Sequence, residues 1–248
     1  MLGRTHMSLG ALGAIVSTPL LLHTGWMPIS QGLAHQSVSP LIREGLFVVP
    51  AIVGSIIVDL DQKDSMLARR VERIGQLAIL VILIGIVVLL HAVTSLGSWI
   101  VVGLLGLSLL SRANFTRKIA LGVLAVGVLA LGAMGYISML SGLLFATWSL
   151  GAMLTPHRTF THSILGALIF STGMLLSISH YNGLGYVLQG AILGYMLHII
   201  ADIPSGGVPL LWPMNRSRQG VGLVPTGGLL DHLIGGIALI MFFIWSII

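Results

Sequence analysis

Most of the aspartates and histidines of this chain lie where a hydrophobic segment meets a more polar stretch. Those that stand out are His6, the pair Asp59 and Asp61, the run His157-Arg158-Thr159-Phe160-Thr161-His162, and His198 with Asp202. Imidazoles and carboxylates are costly in or beside hydrocarbon, so a membrane chain that keeps them there has a use for them. Histidine nitrogen and carboxylate oxygen are also the ligands that divalent metals take. The residues read together as one metal site gathered from distant parts of the sequence.

Each group also has a plainer reading. His198 and Asp202 are four residues apart on an expected helix, so they share a face and suit either one ion or a carboxylate-histidine hydrogen bond. Asp59 and Asp61 follow a hydrophobic segment, where a turn would aim both at a metal and an extended backbone would separate them. The alternative for this pair is a solvated helix end before the basic stretch 63–73. Two histidines, an arginine and two threonines directly after Pro156 make a poor membrane span and a good anion or metal pocket. The Arg158 guanidinium suits a phosphate held by two hydrogen bonds, or serves as a positive anchor. Thr161 and Ser163 are placed to cap the helix that follows. His232, beside Asp231, reads as an extra ligand or as part of a helix-start pair. His23, His35, His91 and His180 read as interfacial or packed histidines.

Composition fixes the surroundings of the site. Of the 248 residues 56% are hydrophobic and 8% charged, and mean hydropathy is +1.02. A soluble domain carries about 25% charged residues, so the chain reads as an integral membrane protein. Residues 74–111, 119–156 and 159–201 contain no Asp, Glu, Lys or Arg. Each stretch accommodates two spans of about 20 residues and reads as a helical hairpin. With no cysteine present, thiolate ligation and disulfides are excluded. The net charge of +5 does not indicate nucleic acid, because the basic residues are scattered among loops without interleaved aromatics.

The fold class expected is therefore all-α and polytopic, with about nine hydrophobic segments. They are 7–22, 45–58, 77–95, 98–111, 119–135, 137–154, 163–179, 184–203 and 231–248. Ser95 to Ser98, Gly135-Tyr136 and Tyr181-Asn182-Gly183 mark turns, and the 32 glycines suit close helix packing. The first segment reads as a retained span, since it contains His6 and lacks a convincing cleavage site. On an alternating path, eleven Lys and Arg residues fall on one side and only Arg43 on the other. That side is expected to be cytoplasmic. All the candidate ligands fall on the same side, although none entered the count.

The succession Thr5-His6, Asp59-Leu60-Asp61, His157-Arg158-Thr159-Phe160-Thr161-His162-Ser163 and Gly194-Tyr195-Met196-Leu197-His198-Ile199-Ile200-Ala201-Asp202, followed by Gly207-Val208-Pro209-Leu210-Leu211-Trp212-Pro213, resembles one known family. It is similar to the inner-membrane, metal-dependent hydrolases typified by a LexA-regulated bacterial member. The resemblance covers most of the chain, leaving 77–154 as a helical-hairpin insertion in a single domain of residues 1–248. There are two departures. The family's acidic motif commonly reads Leu-Pro-Asp-Ile-Asp-His, whereas this chain has Ile57-Val58-Asp59-Leu60-Asp61-Gln62, and a threonine usual after the last aspartate is absent from Ile203-Pro204-Ser205-Gly206-Gly207.

The resemblance implies hydrolysis, and the family's distant similarity to zinc-dependent phospholipase C and nuclease P1 enzymes implies phosphoester chemistry. His6, Asp59, His162, His198 and Asp202 are the expected ligands. Asp61 serves as ligand or general base, His157 as ligand or proton donor, and Arg158 as stabiliser of phosphate charge. Nitrogen and oxygen ligands suit Zn2+ or Mn2+, which polarise a phosphoryl oxygen. A site at the surface of the bilayer implies an amphiphilic substrate, a phospholipid or another lipid-linked phosphate. The stretch Lys63 to Ile74 is placed to lie along the interface or to anchor topology. Two other classes stay open: a proton- or metal-coupled transporter, and a scaffold whose metal is structural.

Overall fold

The computed structural model describes residues 1–23, 40–62, 65–89, 95–111, 115–178 and 185–247. Among these the chain is all helical, apart from one isolated antiparallel bridge between Val208 and Gln219. The helices are α1 (Gly3–His23), α2 (Pro40–Ile57), α3 (Met66–Leu89), α4 (Leu96–Ser111), α5 (Phe115–Ala133), α6 (Met139–Leu154), α7 (Ile164–Ile178), α8 (Gly185–Asp202) and α9 (Leu229–Ile247). A single 3-10 turn, Val58–Asp61, closes α2.

Three of these helices are long and apolar enough to cross a membrane: Leu67–Leu89, Phe115–Ala133 and Leu229–Ile247. Their most apolar stretches are only 6%, 28% and 11% buried inside the protein, so their side chains face outward as a bilayer requires. The other helices are shorter or more enclosed. One boundary differs from the sequence expectation. The basic stretch ending at Ile74 does not lie apart from the following span but runs into it as α3. No proline interrupts Ile74-Gly75-Gln76-Leu77, and Gly75 serves as a close contact, since a Cβ there would lie 2.2 Å from the Thr116 methyl. Lys63 and the Tyr181-Asn182-Gly183 turn lie outside the described residues.

The bundle around the site is built on close backbone crossings. α2 and α8 form the most extensive helix pair. A Cβ at Gly194 would lie 1.9 Å from the Ala51 carbonyl oxygen, and one at Gly190 would lie 2.3 Å from that of Phe47. Only glycine permits this approach, which is how helices associate where water gives no hydrophobic drive. α1 packs against α2, α8 and α9, with Gly10 set against Ala51 and Ser55.

A core of Val58, Leu60, Trp148, Phe160, Phe170, Tyr195 and Ile199 joins the acidic turn to α6, α7 and α8. The Phe170 and Tyr195 rings stack at 4.7 Å. The segment between α8 and α9 returns over the start of α7, where the Ile164 amide donates to the Leu210 carbonyl at 2.9 Å. Trp212 then meets Phe160 edge to face at 5.7 Å.

Candidate metal centre

Four separate parts of the chain deliver the polar cluster. The first turns of α1 bring His6, the 3-10 turn brings Asp59 and Asp61, the α6–α7 connection brings His157, Arg158 and His162, and the last turn of α8 brings His198 and Asp202. His6, His162, His198 and Asp202 are all at most 1% exposed.

At its centre two imidazoles and two carboxylates converge. His198 Nε2 and His162 Nε2 are 3.3 Å apart. Asp59 Oδ1 lies 3.4 Å from His162 Nε2 and 3.6 Å from His198 Nε2. Asp202 Oδ2 lies 3.6 Å and 3.7 Å from the same two nitrogens. Ligands about 2.0–2.1 Å from a tetrahedral metal stand about 3.3–3.4 Å from one another. The five separations are at that spacing or slightly wider.

The outer hydrogen bonds decide which ring nitrogens face inward. His198 Nδ1 contacts the Ser55 carbonyl oxygen, which can only accept, so Nδ1 carries the proton and Nε2 is bare. Thr161 Oγ1 donates to Asp61 Oδ2 at 2.7 Å and therefore accepts from His162 Nδ1 at 2.9 Å. In the neutral ring that leaves His162 Nε2 bare as well. Two lone pairs and two carboxylate oxygens facing one another call for a cation between them. Partners on the outer nitrogen are what orient metal-binding histidines.

The remaining members surround this centre. His6 stacks on His198 with ring centroids 3.8 Å apart, and its Nε2 lies 3.2 Å from Asp202 Oδ1. The buried His6 Nδ1 has no hydrogen-bond partner, a costly arrangement that a metal would relieve. Asp202 Oδ1 also accepts from the Met1 amine at 2.7 Å. The ligand atoms form two groups within 4.8 Å: His6, His198 and Asp202, and Asp59, His157 and His162.

Asp61 plays a different part from Asp59, because the 3-10 turn points the two carboxylates apart. Oδ1 of Asp61 pairs with His157 Nδ1 at 2.9 Å, while Oδ2 takes the Thr161 hydroxyl and the Arg158 amide. Asp61 thus holds other members in place. His157 is the most open imidazole of the set, with a 28% exposed side chain. Arg158 sits at φ 56°, a left-handed conformation that is strained for a side-chain-bearing residue. Its Nη2 lies 3.6 Å from Asp202 Oδ2, and its buried Nε has no hydrogen-bond partner.

Burial would raise the Asp59 carboxyl, but the His162 contact and the charges of His198, His162 and His6 outweigh it and hold it well below the usual range. Burial likewise lowers the His162 imidazole, yet Asp59, Asp61 and Asp202 overcome this and raise it.

Sequence reasoning did not single out three supports. The Ser55 carbonyl carries no side-chain signal. Thr161 was read as a helix cap, yet the capping contact to the Gly166 amide comes from Ser163. Arg117, 6% exposed at the start of α5, donates from Nη1 to the Leu60 carbonyl at 2.8 Å, between the two aspartates. His232 stands apart from the cluster, with its Nδ1 3.2 Å from Arg4 Nη2. His35, His91 and His180 lie outside the described residues.

The chain is matched over its whole length, residues 1–248, by the YdjM inner membrane protein family. The chain belongs to that family. It is 35% identical over 98 residues to the inner membrane protein YdjM of Escherichia coli K12, and equally to that of Shigella flexneri. The matched region is 37% of this chain and 46% of each relative, so the chain spans about half the length of the curated relatives it matches. No solved structure matches it. Family membership and the apolar helices together make this YdjM-family chain an inner membrane protein.

Proposed function

We propose that this chain is a multi-pass, metal-dependent hydrolase acting on a phosphoester of a lipid or lipid-linked substrate at the cytoplasmic face of the inner membrane. The observation that carries the reading is the convergence of two bare imidazole nitrogens and two carboxylate oxygens at tetrahedral spacing. The donor set, nitrogen and oxygen without sulfur, suits Zn2+ or Mn2+.

His162, His198, Asp59 and Asp202 would hold one ion. His6 and His157 would complete the coordination or assist a second. A bound divalent ion supplies charge to polarise a phosphoryl oxygen and ready a water for attack.

The chain's own groups support phosphate as the substrate centre. Arg158 sets its Nη2 beside Asp202 and keeps a buried Nε without a partner, so its guanidinium is free to bind phosphate oxygens. His157 stands at the open side with its Nδ1 donating to Asp61, so Nε2 faces outward, and in the doubly protonated ring it would give its proton to a leaving alkoxide. The site lies at the ends of helices rather than along a path through the bundle, which favours hydrolysis at the surface over transport.

The test is element analysis of detergent-purified wild type beside a folded, monodisperse His198→Ala, Asp202→Ala variant. Stoichiometric zinc or manganese in wild type, lost in the variant, is expected. Phospholipid phosphoesters should then be cleaved in a metal-dependent manner by the wild type alone. A wild type that takes up neither metal on reconstitution refutes the metal reading. Full metal without phosphoester cleavage refutes the substrate reading and leaves a structural ion.

A further inference from the structure

Outside the His/Asp cluster, the first turns of α1 and α9 form an open cavity of ≈ 480 Å³, lined by Arg4, Ser8, His232, Gly235, Gly236 and Leu239 among others. It is separate from the metal centre: His6 is buried, while Arg4 and His232 are exposed beside one another at 3.2 Å. No acidic side chain lines it. Asp231, next to His232, is fully buried, and its Oδ2 accepts from the amides of Leu2 and Gly227.

The cavity has a polar rim and an apolar floor. Arg4, Ser8 and His232 form the rim. Gly235 packs on Thr5 and draws the two helices together, whereas nothing lies within 4 Å of a Cβ built at Gly236. That position is open space. Below it, Leu239 and Phe243 are 45% and 56% exposed and lie one turn apart on the same face of a helix able to cross a membrane. A cation above an apolar strip, with room between, is the arrangement that a phospholipid presents in reverse.

We propose that this cavity binds the phosphodiester headgroup of an anionic phospholipid, with an acyl chain lying along Leu239 and Phe243. Arg4 binds the phosphate oxygens, and Ser8 and His232 supply further hydrogen bonds. With no carboxylate on the lining, the ammonium of a zwitterionic headgroup finds no counter-charge, so the site selects for net negative lipid. The inference does not rest on the hydrolase reading, because none of these residues belongs to the metal cluster.

The experiment is native mass spectrometry of the full chain in detergent, titrated with phosphatidylglycerol or with phosphatidylethanolamine of matched acyl chains. Wild type should retain one phosphatidylglycerol and bind phosphatidylethanolamine about tenfold more weakly, because the ammonium meets no counter-charge on the lining and is repelled by Arg4. Arg4→Gln should lose about tenfold in phosphatidylglycerol affinity. Gly236→Leu fills the open space without removing charge and suits a helix better than glycine, so it folds even where Arg4→Gln fails to. It should also lose binding. Equal retention of the two lipids by wild type, or wild-type phosphatidylglycerol affinity in Gly236→Leu, overturns the proposal.

Discussion

Thr161→Val replaces a hydroxyl with a methyl group of nearly the same size, so it removes hydrogen bonds while leaving the packing almost unchanged. In the native site this hydroxyl donates to Asp61 Oδ2 at 2.7 Å and accepts from His162 Nδ1 at 2.9 Å. All three residues are buried. With valine, the His162 Nδ1 proton has no acceptor nearer than Asp61 Oδ2 at 3.9 Å, too long for a hydrogen bond. The imidazole loses the partner that keeps Nε2 bare and aimed at the centre. Losing an outer partner of this kind weakens metal binding about 10- to 100-fold, or roughly 1.4 to 2.8 kcal/mol. Chelator competition for Zn2+ at fixed pH, on protein whose helicity matches wild type, measures it directly. Thr161→Ser keeps the hydroxyl and should keep the affinity. If the valine variant binds Zn2+ within twofold of wild type, the Asp61–Thr161–His162 chain does not orient the ligand and the reasoning fails.

The pH dependence of metal stabilisation has a definite sign. His162 is raised above 6.5 in the folded, metal-free protein, so its proton stabilises the fold fully below 6.5 and that contribution is lost as pH rises through the raised value. Asp59 is lowered and stays ionised over the same range, adding no trend there. A metal competes with the His162 proton, so the Zn2+-induced rise in melting temperature should be larger at pH 8 than at pH 6; the reverse order contradicts the assignment. Gly194→Ala places a methyl group 1.9 Å from the Ala51 carbonyl oxygen and must part α2 from α8. It should destabilise the protein by about 1–3 kcal/mol or more and lower metal content, read by thermal unfolding and element analysis. Arg117→Met leaves the Leu60 carbonyl without its donor. It should cost about 1–3 kcal/mol in stability and weaken Zn2+ binding through the displaced Asp59, whereas an unchanged Zn2+ affinity would show that the turn holds itself.

The convergence of His6, Asp59, His162, His198 and Asp202 was legible in the sequence because each sits at a hydrophobic boundary and all count to one side. The i,i+4 spacing correctly put His198 and Asp202 together, since helix geometry fixes that pair. The distinct positions of Asp59 and Asp61 were not legible, because residues two apart diverge or converge according to backbone angles, and the 3-10 turn sets them. Thr161 was misjudged for a related reason: a threonine before a helix looks like a cap until the neighbouring carboxylate is known. Arg117 looked like one more positive loop residue. Only its burial against Leu60 reveals that the stretch 77–154, which carries no candidate ligand, reaches the site.

The contact between the Leu2 amide and Asp231 joins residues 229 positions apart. At roughly 5–20 residues per second, the ribosome needs about 10 to 50 s to synthesise that interval. During this time α1 lacks its final neighbour, and His6 waits for α8 as well. The cluster is therefore incomplete for most of the chain's own synthesis. Its last members, His198 and Asp202, arrive only with α8, so a product truncated or stalled before that helix carries no complete cluster.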